Sequence, residues 1–73
     1  MREQIIEALK KHAEGHIEKH RDNVENLLQN TVGVAEHPDH IETIEKELGI
    51  IAEYDDQIEM LNKYFIKKDP FKK

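Results

Sequence analysis

Thr31-Val-Gly-Val-Ala-Glu-His-Pro38 is the one internal stretch that breaks the pattern of this 73-residue chain, and its reading decides the fold. Gly33 can take the left-handed conformation that closes a helix, because it has no Cβ to clash. Pro38 suits the first turn of a following helix, where a backbone N–H would have no intrahelical partner. On either side runs a helical pattern of about 28 residues, Glu3 to Asn30 and Pro38 to Ile66, each roughly 42 Å long at 1.5 Å per residue. Two matched helices joined through residues 31–37 predict an all-α antiparallel hairpin over residues 1–66. The tail Lys67-Lys-Asp-Pro-Phe-Lys-Lys73 is basic and broken by Pro70, and is expected to be a flexible appendage.

The periodicity says which faces are apolar. In the first helix Ile5, Ile6, Leu9, Ala13, Ile17, Val24, Leu27 and Leu28 fall within an arc of roughly 140°. In the second, Ile41, Ile44, Leu48, Ile51, Tyr54, Ile58, Leu61 and Phe65 step by three and four and cover about 160–180°. A seam to a single neighbour needs only a narrow stripe. The wider arc predicts that the second helix faces two neighbours and that these eight residues mediate self-association. Pairing of two hairpins into a homodimeric four-helix bundle satisfies both. The small size points the same way, since a core this small leaves little net stability without a staple or a partner.

Composition removes several function classes. The absence of cysteine excludes disulfide scaffolds and Cys-ligated zinc or iron–sulfur sites. No apolar run approaches the roughly 18 residues of a membrane span, and Met1 to Gly15 has no signal-peptide core, so an intracellular, cytoplasmic protein is expected. The net charge of −5 is unevenly spread. Residues 36–65 carry nine acidic side chains against Lys46 and Lys63, which argues against nucleic acid as a partner. No nucleophile elbow, phosphate loop or dinucleotide fingerprint is present, and in Tyr54-Asp55-Asp56 neither carboxylate has a general-acid partner nearby, Asp55 lying close to the seam between Ile51 and Ile58. The expectation is a non-enzyme with no catalytic residues and no cofactor.

Five histidines are the oddest feature. His12, His16 and His20 recur every four residues along one side of the first helix, His16 and His20 inside its apolar arc and His12 at the edge. Such spacing suits either interface histidines hydrogen-bonded to a neighbour or a two-histidine metal site at His16 and His20. The Glu-x-x-His pairs of di-iron bundles are absent. In His37-Pro-Asp-His40, Asp39 fits the positive end of a helix dipole, and the alternative is a His/Asp/His cation cluster. If the hairpin turns near residue 34 or 35, position i faces 69−i, which puts His16 near Glu53 and His20 near Gly49. Buried neutral histidines there would weaken a dimer between about pH 6.5 and 5, and a carboxylate beside them would reverse the sign.

The stretches Gly15-His-Ile-Glu-Lys-His20, Asn23-Val-Glu-Asn-Leu-Leu28, Gly33-Val-Ala-Glu-His-Pro-Asp39, Ile44-Glu-Lys-Glu-Leu48, Ala52-Glu-Tyr-Asp-Asp56 and Leu61-Asn-Lys-Tyr-Phe65 resemble small proteins encoded by T4-like phages of marine cyanobacteria. That resemblance covers residues 1 to about 65 and implies a short phage accessory protein acting in the host cytoplasm. It assigns no activity and no site residue. The function expected from the residues is a self-associating helical module that docks to another protein. The alternatives are a metal-binding bundle using His16 and His20 and a minor virion component.

Overall fold

The computed structural model describes residues 1–29 and 38–66. Two helices account for nearly all of them: α1 spans Arg2–Gln29 and α2 spans Pro38–Tyr64, with no strand among the described residues. The expected break with Gly33 and His37, and the tail from Lys67, lie outside the described residues. The helices run antiparallel as a hairpin, fixed by contacts that link Arg2 to Phe65, His20 to Glu47 and Leu27 to His40.

Local chemistry sets several of the helix ends. Pro38 opens α2, where it forfeits no intrahelical bond, and Asp39 stands in the first turn against the positive end of the dipole. The Thr43 hydroxyl donates to the Asp39 carbonyl at 2.8 Å. At the other end, the Leu61 carbonyl accepts from both Phe65 N–H and Ile66 N–H at 3.0 Å, a bifurcated closure that terminates α2 at Tyr64, two residues before the expected end at Ile66. The carbonyls of the last turn of α1 have no N–H four residues on within the helix. One of them, Leu27 O, accepts a 2.9 Å hydrogen bond from His40 Nε2, so the second helix caps the first. The opposite end is fastened by the Arg2 guanidinium, which donates to the Phe65 carbonyl.

The hairpin is long and thin, 54 × 26 × 15 Å, with a radius of gyration of 16.8 Å. A compact chain of this length would have about 11 Å. Its thinnest dimension is little more than one helix with its side chains, about 10–12 Å, so both flat flanks lie open. Among the described residues only Ala13, 1% exposed, is fully buried. Of the eight residues expected to mediate self-association, Ile44, Ile51, Tyr54, Ile58 and Leu61 are half-buried within the hairpin. Ile41, Leu48 and Phe65 remain more than half exposed, as do Ile5 and Leu28. No helix among the described residues is long and apolar enough to cross a membrane.

Candidate functional site

The middle of the hairpin is polar where a coiled-coil seam would be apolar. His16 lies at its centre. Its ring stacks on Tyr54 of α2 with centroids 4.6 Å apart and planes 8° from parallel. His12 approaches the same ring edge-on at 4.5 Å. One turn further along, His20 lies parallel to His16 at 6.1 Å. The i, i+4, i+8 spacing makes this ladder, because residues four apart on a helix sit above one another.

Towards the connection, the ladder ends on a carboxylate. Glu47 Oε1 accepts from His20 Nδ1 at 2.8 Å and from Asn23 Nδ2 at 2.6 Å. The His20 and Glu47 side chains are only 12% and 14% exposed, unlike the Lys11–Glu7 pair at 3.9 Å on the open surface, which adds little. Donation by His20 and Asn23 holds the Glu47 carboxyl below the usual range for glutamate. His16 is also depressed, first by burial of its ring and then by the neighbouring His12, Lys19 and His20. Its Nδ1 is buried and meets no hydrogen-bond partner among the described residues. A neutral imidazole tolerates that position far better than a cation would.

The simple register therefore places the heights correctly and the partners wrongly. His16 meets Tyr54 instead of Glu53, and His20 meets Glu47 instead of Gly49. The reason is azimuth. At about 100° per residue, Gly49 projects about 180° and Glu53 about 140° from Ile58, on the outer side of α2. Tyr54 and Glu47 project within about 40° of Ile58, into the seam. Asp55, expected at the seam edge, is exposed. Glu47 and Asn23 were absent from the sequence expectations. Glu47 had a readable signal, since it projects inside the apolar arc of α2, as Asp55 does, and lies on the same azimuth as Phe65.

As a metal site the arrangement is poor. Parallel imidazoles 6.1 Å apart do not aim at one ion, and His20 Nδ1 is committed to Glu47. No group of three or more His, Asp or Glu among the described residues is placed to hold a metal ion. His40, the described histidine of the second candidate cluster, uses Nε2 as a donor to Leu27 O. What the geometry does provide is register. A one-turn slip of α2 would strip Glu47 from both donors and Tyr54 from its imidazole, leaving polar groups unpaired in a half-dry seam.

No protein-family description, curated protein or solved structure matches this chain.

Proposed function

We propose that the chain is a non-enzymatic, self-associating helical module whose hairpins pair into a four-helix bundle and present a surface to another protein. One observation carries this reading: among the described residues a 54 Å hairpin fully buries a single alanine while leaving several large apolar side chains about half exposed. Exposed apolar surface on so thin a scaffold is commonly covered by association. The polar seam supports the same reading from another direction. A hairpin held in register by His20, Asn23 and Glu47 offers a rigid, preorganised surface. The resemblance to short phage proteins is compatible with an accessory role in host cytoplasm and adds no mechanism.

Sedimentation equilibrium over about a hundredfold range of concentration tests the reading. The expected result is a mass rising from 8.6 kDa towards twice that value. A folded species that stays at 8.6 kDa throughout would overturn it.

A further inference from the structure

The exposed apolar side chains do not form one stripe. At the end of the hairpin away from the connection, Met1, Ile5, Ile6, Leu9, Leu61 and Phe65 line a single hollow whose only charged side chain is that of Arg2. The Arg2 guanidinium is already engaged by the Phe65 carbonyl. Four of these residues are heavily exposed, Met1 at 85%, Ile5 at 52%, Leu9 at 49% and Phe65 at 54%. At about 200 Å² for a fully exposed side chain of this size, the hollow presents roughly 500 Å² of apolar surface. Leu48 and Ile51 sit in different surroundings. The hollow they share with Val24 is rimmed by Glu18, Arg21, Asp22 and Glu25, all of which would lose water on docking.

We infer that the end patch formed by Met1, Ile5, Leu9, Leu61 and Phe65 is the contact through which a second copy of this chain docks, patch against patch. This rests on the self-association proposed above and confines the four-helix contact to one end of the hairpin. Two such patches bury at most about 1,000 Å² in total, the threshold for a specific interface and the size of a weak one. A second copy fits because the patch is almost free of charge and so self-complementary, as a two-fold contact requires. The same flank also fixes the orientation. Lys19 projects within about 40° of Ile5 at 100° per residue, so the flank turns cationic beyond the patch. Copies lying side by side in parallel would oppose their Lys19 ammonium groups, and those of Lys11 in the same hollow, to one another. Copies overlapping only at their patch ends, antiparallel, leave them in water.

The chain has no cysteine, so single introduced cysteines report apposition directly. Sedimentation equilibrium and circular dichroism are applied to the full chain and to Ile5→Lys and Leu28→Lys, and oxidative cross-linking to Ile5→Cys and Leu48→Cys. The expected result is that Ile5→Lys weakens dimerisation at least tenfold with helix content retained, while Leu28→Lys matches the parent. Ile5→Cys is expected to form a disulfide dimer in high yield, and Leu48→Cys is not. If Ile5→Lys loses its helix content, the cysteine pair decides alone. A wild-type chain that remains monomeric overturns both this inference and the proposed function. A chain that dimerises while Ile5→Lys has no effect and Leu48→Cys cross-links overturns only this inference, and so does wild-type dimerisation with no Ile5→Cys cross-link.

Discussion

His16 concentrates the residue-scale chemistry. It is stacked on Tyr54, with His12, Lys19 and His20 beside it on its own helix and Glu47 on α2 engaged by His20. Its folded pKa lies below 6.5, so the unfolded chain takes up the proton first as pH falls. Stability from neutral His16 is therefore present above about 6.5 and is lost as pH drops from there to the folded value. Glu47 has the same sense in a lower window. Its folded pKa lies below 4.5, so its contribution is present above that value and is lost as pH falls through the folded one. Urea midpoints measured from pH 7.5 to pH 3 are expected to fall in two stages. His16→Phe, which keeps a stacking ring without a titrating group, is expected to remove the upper stage, and Glu47→Gln the lower. Superimposable profiles for His16→Phe and the parent would show that His16 does not carry the upper stage. The reversal anticipated from a carboxylate beside His16 is not expected, because the seam carboxylate bonds His20 and Asn23.

The two helices differ in how firmly they are ended. α1 has no basic residue in its last turn, and the bond from His40 to Leu27 O supplies part of what a cap would. His40→Ala is expected to cost about 1 kcal/mol and to raise amide exchange selectively at residues 24–29. Uniform exchange along α1 in that variant would rule the cap out. Mid-helix glycine is the second element-scale feature. A Cβ built on Gly15 or Gly49 meets nothing within 4 Å, so neither glycine is required by packing within the hairpin. Gly49→Ala is expected to stabilise the chain by about 0.5–1 kcal/mol through helix propensity. Thermal unfolding checks it, with a rise of about 4–8 °C per kcal/mol for a domain of this size. A lower melting temperature would mean that Gly49 is needed for a close approach by a partner.

For the whole molecule, shape follows from having one layer. A radius of gyration of 16.8 Å against about 11 Å for a compact fold means that surface dominates volume. Pairing at one end lengthens the particle, whereas side-by-side bundling thickens it. Small-angle scattering on the concentrated protein is expected to give a maximum dimension well above 54 Å. A dimer whose maximum dimension stays near that of the single hairpin would favour the full-length four-helix bundle over end pairing.

The sequence by itself determined the all-α class, the two long helices and the hairpin topology. Periodicity over nearly 30 residues is a strong local signal, and Pro38 fixes a helix start by its own stereochemistry. It also singled out His16 and His20, because charge-capable side chains inside an apolar arc are anomalous on one helix alone. Their partners were not legible. Whether His16 meets Tyr54 or Glu53 depends on the azimuth of α2 as well as the height along it. That azimuth is set jointly by side chains on both helices, among them the buried Ala13 and Glu47 between two donors. The apolar arc of α2 likewise read as one continuous stripe. Only the tertiary structure divided it, turning Ile44, Ile51 and Ile58 inward and leaving Phe65 beside Ile5 and Leu9, since burial depends on what the neighbouring helix covers.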